Sequence, residues 1–217
     1  MTRLTDLLNA TPSTRDIDKR NYIGASSIGS QCVRALWYGL YSQYKPEYSA
    51  QLLRTFEVGK RLEAMLLDCL DLCGLEIQRP NKDNAFLAVA DKEVSLFQGH
   101  MDALWVNEGI LEIKTARDAS FRVFQKKGLR LWYPVYYAQV QAYMGMSGIV
   151  KAYVLAINKD TSEVHDECVT YDAGYYETLR AKAKKIIELD KAPCRVNESP
   201  LYFVCKMCAY RKVCHQQ

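Results

Sequence analysis

The sequence predicts an α/β fold built as one domain with terminal elaborations, and three observations carry that prediction. Apolar residues recur at helical spacing before residue 74 and again between residues 119 and 189. Short β-branched and aromatic runs, broken by Asn, Asp and Gly, fill 75–115 and 150–170 instead. The chain has 217 residues, 49% hydrophobic and 25% charged, which suffices for one buried core but would be crowded for two full domains.

In order along the chain, Ser26 and Ser27 are placed to cap a helix running through Cys32, Trp37 and Tyr38, with Gly39 ending it. A second helix covers Gln51 to Cys73, where Leu52, Leu53, Phe56, Leu62, Met65 and Leu66 keep helical spacing and Gly74 is the stop. Strand-like segments follow at Phe86 to Val89, Val94 to Val106 and Ile110 to Thr115. The last two are joined by Asn107-Glu108-Gly109, a compact hairpin loop with glycine where a positive φ is needed. Helical pattern returns at Ala119 to Lys127 and at Val135 to Met146, the latter preceded by Pro134. Strands at Val150 to Ile157 and Val164 to Thr170 are joined by Asn158-Lys159-Asp160, and an amphipathic basic helix covers Ala173 to Leu189 before a cysteine-rich tail.

A formal net charge of +4 permits nucleic-acid contact without pointing to it. Residues 1–21 lack the apolar run of a signal peptide, and no stretch approaches the ~18 apolar residues of a membrane span. A reducing, cytoplasmic setting is therefore expected, in which closely spaced cysteines bind metal more often than they pair as disulfides.

The sharpest chemical signal is Gly99-His100-Met101-Asp102 followed across the hairpin by Leu111-Glu112-Ile113-Lys114. A strand's period of two puts Glu112 and Lys114 on one face and Leu111 and Ile113 on the other. Asp102, on the preceding strand, can approach Glu112. Two carboxylates and the main-chain carbonyl of Ile113 suit Mg²⁺ or Mn²⁺, with Lys114 beside the attacking water. Alone, the same residues more readily describe a surface ion pair on a solvated strand face. Gln139 and Tyr143, one helical turn apart, share a face and read either as core or as part of a site.

Eight cysteines are present. Cys205, Cys208 and Cys214 give C-x2-C-x5-C, three thiolates where a closed site needs four ligands, so a fourth must come from elsewhere. His215 offers a nitrogen, and zinc suits an arbitrary site of this kind. Cys69 and Cys73 lie at i and i+4 on one helix, where buried structural thiols are the ordinary expectation. Cys168 and Cys194 lack a partner pattern, and none of these four is assigned to metal.

Basic residues gather on the N-terminal helices (Arg34, Arg54, Lys60, Arg61) and just after Lys114 (Arg117, Arg122, Lys126, Lys127, Arg130). Phe121, Phe124, Trp132 and Tyr133 interleave with the second group, a pattern suited to phosphates and stacked bases, although many such aromatics belong to cores. No G-x-x-x-x-G-K-[ST] motif is present, so any helicase partner must be a separate protein. His100 and His165 accompany no Ser or Cys nucleophile pattern.

Together these motifs resemble the PD-(D/E)XK nuclease superfamily, and within it the RecB-like exonucleases, including the iron-sulfur nucleases of CRISPR adaptation and the nuclease module of AddB-type proteins. Ser27 to Gly39 is similar to the family's N-terminal cysteine helix, and Gly59 to Glu63 to a helix motif that supplies a further metal-proximal residue. Gly99 to Asp102 with Glu112 to Lys114 resembles the catalytic hairpin, and Gln139 to Tyr143 the Gln-x-x-x-Tyr motif. Many RecB-like members carry histidine where this chain has Glu63, which is also a competent ligand for a hard metal.

The resemblance implies a restriction-endonuclease-like core, a mixed central sheet flanked by helices, over 75–192. It implies an N-terminal tail over 1–24, a helical region contributing one cluster cysteine over 25–74 and a cysteine-rich segment over 193–217. It further implies a bacterial, archaeal or phage exonuclease acting on DNA ends or single strands, with Glu63, Asp102, Glu112 and the Ile113 carbonyl on Mg²⁺ or Mn²⁺. Lys114 would be catalytic, with Gln139 and Tyr143 holding the lysine or a DNA phosphate. Cys32 would join Cys205, Cys208 and Cys214 on a four-iron, four-sulfur cluster that clamps the two ends together, zinc being the alternative. A DNA-end-binding subunit of a recombination or spacer-acquisition complex, with little catalysis of its own, is the competing reading.

Overall fold

The computed structural model describes residues 3–10, 20–44, 48–80 and 87–216. Phe86, where one expected strand begins, and residues 1–2 and 11–19 of the N-terminal tail lie outside them. The strands are β1 (Ile23–Gly24), β2 (Ile77–Gln78), β3 (Ala88–Ala90), β4 (Phe97–His100), β5 (Ala103–Trp105), β6 (Gly109–Ala116), β7 (Lys151–Asn158) and β8 (Val164–Thr170). The helices are α1 (Leu4–Ala10), α2 (Ala25–Ile28), α3 (Val33–Tyr41), α4 (Ala50–Leu72), α5 (Asp118–Trp132), α6 (Pro134–Ser147), α7 (Ala173–Ile187), α8 (Phe203–Lys206) and α9 (Arg211–His215).

The central sheet has the order β2-β5-β6-β7-β8 and is mixed, as expected: β6 and β7 run parallel and the other pairs antiparallel. Parallel neighbours need a crossover, which α5 and α6 supply. One sheet face, with Leu111, Ile113 and Ile157, packs under Leu66 and Leu67 of α4. The other face, with Ile110, Ala152, Val154 and Ala156, packs with Phe121, Phe124 and Val140 of α5 and α6. Phe121 and Phe124 are fully buried, so truncating either to alanine would cost about 3–5 kcal/mol.

The expected strand over Val94 to Val106 is in fact two. β4 pairs with β1 and β3 in a separate three-stranded sheet, whereas β5 belongs to the central sheet, so the chain changes sheets at Met101-Asp102. The hairpin loop also differs from expectation. Asn107, not Gly109, takes the positive φ of 65°. Gly109 is needed because a Cβ there would lie 2.5 Å from the Lys151 carbonyl oxygen on parallel β7.

The single helix expected from Ser26 through Gly39 is likewise broken. Ser26 and Ser27 lie inside the short α2, which ends at Gly29, where a Cβ would meet the Val135 Cα at 2.7 Å and the Ala138 Cβ at 2.8 Å on α6. Cys32 then sits at the N-cap of α3, which runs past Gly39 to Tyr41. In α4, Ser49 caps the start through the Leu52 N–H, but of the expected apolar face Phe56 and Met65 are exposed and burial is concentrated at Leu66 and Leu67. α5 runs beyond Lys127 to Trp132 across a kink at Gly128 (φ 72°), where the Glu167 carboxylate accepts from the Leu129 N–H at 2.7 Å. Cys69 and Cys73 are exposed, against the expectation of buried thiols, because burial in α4 is confined to Leu66 and Leu67 and the last turn, where Leu72 is exposed too, lies outside that contact.

Candidate active site and cysteine corner

Asp102 stands at the junction of the two sheets, opposite β6. Its Oδ2 accepts from the Ile113 N–H at 2.9 Å, which fixes the carboxylate across the hairpin. Glu112 is 1% exposed, on the sheet face opposite Leu111 and Ile113, and the Lys114 ammonium beside it is paired with its Oε1. The same oxygen accepts from Gln139 Nε2 at 2.7 Å. Gln139 also bonds the Tyr143 hydroxyl at 2.8 Å, and that hydroxyl donates to the His100 carbonyl at 2.5 Å.

Gln139 and Tyr143, 4% and 2% exposed, therefore brace Glu112 against the end of β4. They hold the carboxylate, where the resemblance implied the lysine or a phosphate. Gly99 belongs to the same brace: a Cβ there would fall 2.4 Å from the Tyr143 ring and 2.9 Å from the Ala25 Cβ.

The other Glu112 oxygen, Oε2, is buried with no hydrogen-bond partner. Burial, then the charge of Asp102, pushes the Glu112 carboxyl up to about 8. Burial likewise raises Asp102, against the opposing pull of Lys114 and the Ile113 N–H. Glu63, half-buried on α4, is raised by burial and by Asp102. Burial works to lower Lys114, but the charges of Glu112 and Asp102 outweigh it and hold the ammonium charged. Three carboxylates thus crowd around one ammonium. Among the described residues, no three His, Cys, Asp or Glu side chains stand close enough to cage a metal as they are, neither at Glu63, Asp102 and Glu112 nor at the four cysteines of the C-terminal corner.

Two neighbours escaped the sequence reading. The Lys114 Nζ lies 4.6 Å from the centre of the Tyr136 ring, a residue three before Gln139 and so on its helix face. Arg20, whose charge slightly opposes the burial that raises Tyr143, donates to Ser26 at 3.3 Å. Several residues expected on DNA are otherwise engaged. Arg34 donates to the Pro193 carbonyl at 2.7 Å, and Arg54 to Leu8 O and Asn9 Oδ1 at 3.0 and 2.9 Å. Arg61 pairs with Glu57, and Arg122 with Asp118 and Glu163. Phe121, Phe124 and Trp132 are core, while Tyr133 is 45% exposed.

At the other end of the molecule, Cys32, Cys205, Cys208 and Cys214 line one cavity of about 140 Å³ together with Tyr38, Arg195 and His215. None is in a disulfide. Burial and then the neighbouring thiols of Cys32 and Cys214 raise Cys205, and burial and the same neighbours raise Cys208. The His215 Nε2 is buried without a partner. α3 holds this corner by hydrogen bonds as well: Trp37 Nε1 donates to Leu189 O at 2.9 Å, Tyr41 OH to Ile187 O at 2.5 Å, and the Tyr38 and Tyr210 rings stack at 5.8 Å.

No helix among the described residues is long and apolar enough to cross a membrane. No protein-family model and no curated protein matches the sequence. Solved structures do match the fold. LHK-Exo, an alkaline exonuclease from Laribacter hongkongensis solved in complex with dAMP, aligns at TM-score 0.61 and 14% identity over 78% of this chain and 87% of its own. The protein SSO0001 aligns at TM-score 0.60 and 18% identity over 98% of this chain and 96% of its own. A phage-related exonuclease from Haemophilus somnus 129PT aligns at TM-score 0.52 and 12% identity, over 71% of this chain and 77% of its own. The chain shares the fold of these structures, two of which are exonucleases.

Proposed function

We propose that this chain is a metal-dependent deoxyribonuclease of the RecB-like kind, an exonuclease acting on DNA ends or single strands. The observation that carries the reading is the buried, partnerless Glu112 Oε2 beside Asp102 and Lys114. A buried acceptor without a donor costs about 1–3 kcal/mol, more when charged, and carboxylates outnumbering the nearby ammonium add repulsion. A divalent cation relieves both. Mg²⁺ or Mn²⁺ is held by one or two carboxylates with the remaining positions open, which fits Asp102 and Glu112 with the Ile113 carbonyl, and Glu63 reached directly or through water. When bound, the ion polarises the scissile phosphodiester and makes the attacking water more acidic.

The chain's own groups supply the rest. Lys114, held protonated, places a fixed positive charge where the pentacovalent transition state gains negative charge. The Gln139, Tyr143 and His100 brace keeps Glu112 in one position, so no reorganisation is needed as the reaction proceeds. The dAMP bound by LHK-Exo, whose fold this chain shares, is the kind of mononucleotide an exonuclease releases.

Cys32, Cys205, Cys208 and Cys214 hold a four-iron, four-sulfur cluster that clamps the ends of the chain. Their shared cavity of about 140 Å³ favours a group larger than a single ion. Zinc on three cysteines and His215 is the competing occupant, supported by the partnerless His215 Nε2.

The test is a time course on 5′- and 3′-labelled single- and double-stranded DNA with Mn²⁺ or Mg²⁺. Stepwise shortening from one end is expected, and Lys114→Ala should leave the DNA intact while still folding, at a lower melting temperature because buried Glu112 loses its counter-charge. Intact DNA under conditions where the protein demonstrably binds Mn²⁺ would sink the nuclease reading. Iron and acid-labile sulfide near four each per chain support the cluster, and stoichiometric zinc in a colourless protein overturns it.

A further inference from the structure

The aromatic residues at the corner between α5 and α6 divide into two groups. Phe124 and Trp132 stack on each other at 4.5 Å and are 0% and 9% exposed, so the core accounts for them. Tyr133 is 45% exposed, and its ring lies 4.2 Å from that of Tyr136 with the planes 30° apart. Tyr136 in turn carries the Lys114 ammonium 4.6 Å from its ring centre. A single exposed aromatic needs no explanation. An exposed ring joined through one further ring to the lysine of the candidate site is a different matter.

The backbone fixes Tyr133 in place. Its N–H donates to Leu129 O at 2.9 Å, its carbonyl accepts from Tyr136 N at 2.9 Å, and Pro134 follows at the first position of α6. A flat, rigidly mounted, amphipathic ring loses little freedom on binding. Lys60 and Arg20, whose charges reach Glu63 and Tyr143, add positive charge for a phosphate backbone while Tyr133 offers a surface for a base.

We propose that Tyr133, backed by Tyr136, is a nucleobase-stacking subsite that takes one unpaired base of a single-stranded DNA end next to the reaction centre. The proposal rests on the nuclease reading for the identity of its ligand and extends it to how a strand end is gripped. Stacking on a tyrosine tolerates every base, so the subsite selects unpaired over paired nucleotides without reading sequence.

The experiment measures binding of a fluorescent single-stranded oligodeoxythymidylate to the full chain by anisotropy in EDTA, where no cleavage occurs. Cleavage of the same strand in Mn²⁺ is then followed. Tyr133→Ala should weaken binding about tenfold, the effect of losing one base–aromatic stack, and Tyr133→Phe should stay within about twofold. A strand with abasic sites at its end should bind the wild type weakly and lose nothing further with Tyr133→Ala. Equal affinity of Tyr133→Ala and wild type, an equal loss on the abasic strand, or no binding of the strand by wild type overturns the subsite. Base-dependent binding without any cleavage in Mn²⁺ leaves the subsite standing and removes the nuclease activity. Cleavage in Mn²⁺ together with an affinity that is indifferent to Tyr133→Ala does the reverse.

Discussion

Around Glu112, side chains from α6, β6 and the end of β4 are already locked together, and the gap they leave is a single carboxylate oxygen. Around Cys205 the chain is assembled quite differently. α8 and α9 have four and five residues, α9 buries no residue, and four thiols surround a cavity. Short helices cannot stabilise themselves, and a segment without core contacts depends on whatever fills its interior. On the proposed function, the hairpin would be built before its ion arrives, whereas the cysteine corner would be completed by its occupant. The first region would then spend folding stability to gather charges, and the second would gain stability from the group it binds.

The sharpest way to break this comparison is Asp102→Asn. The amide oxygen can still accept from the Ile113 N–H, so the hairpin survives, while one of the three crowded carboxyls, the one whose charge pushes Glu112 up, is replaced by a neutral group. Cleavage should fall by at least roughly 10²-fold, the scale of losing one preorganised electrostatic contact. The melting temperature should hold steady or rise, because the charges being relieved raise the energy of the fold. A variant that loses activity only by melting early would show that the hairpin is not a preformed site.

Cys205→Ser sharpens the other half. Replacing a buried thiol with a hydroxyl of similar size should empty the corner of iron or zinc and lower the melting temperature, by about 2–4 °C for each kcal/mol lost in a chain of this length. Hydrogen exchange should quicken across residues 193–216 while β6 and α6 stay protected, since Arg34, Trp37 and Tyr41 still hold the end of α7 and the segment after it. Exchange that quickens equally in β6 would mean the corner and the catalytic core stand or fall together.

Gly99→Ala tests the brace with a smaller effect. The added methyl would overlap the Tyr143 ring, so either that ring shifts or Ala25 and α2 give way, at about 1–3 kcal/mol. Because Tyr143 holds Gln139 and Gln139 holds Glu112, kcat should fall while the affinity for DNA is retained. A melting penalty with unchanged kcat would confine Tyr143 to packing.

What the sequence revealed about these regions follows the range of the interactions. Period-two alternation is local, so the shared face of Glu112 and Lys114 was legible from β6 alone, and so was the one-turn spacing of Gln139 and Tyr143. The hydrogen-bond acceptor of that pair was not, because it lies on β4, 43 residues from Tyr143. The sheet change at Met101-Asp102 was hidden in a run of uniform strand character, since it is decided by pairing of β4 with β1 and β3 and of β5 with β2 and β6. Gly29 ended α2 because of α6, more than a hundred residues on, where no local stop signal could be read. Tyr136 was within reach, as it shares the Gln139 face, but in a chain with 15 tyrosines nothing local distinguished it from core.

The smallest expected effect bears on the basic cluster after Lys114, which sequence alone marked as a DNA-contacting surface. Arg122 lies there, yet its guanidinium is committed to Asp118 at 3.0 Å, Glu163 and Gln125 on the protein itself. Asp118 also accepts from Asn158 at 2.8 Å, so Arg122 closes a local network at the end of β7. A cation already paired with two carboxylates has little charge left to release counterions from DNA. Arg122→Ala should therefore change single-strand affinity by less than about twofold and leave the salt slope unchanged, where loss of a true phosphate contact would reduce that slope by about one. A slope that drops by a full unit would return Arg122 to the DNA surface, and would mean that Asp118 and Glu163 release it when the strand binds.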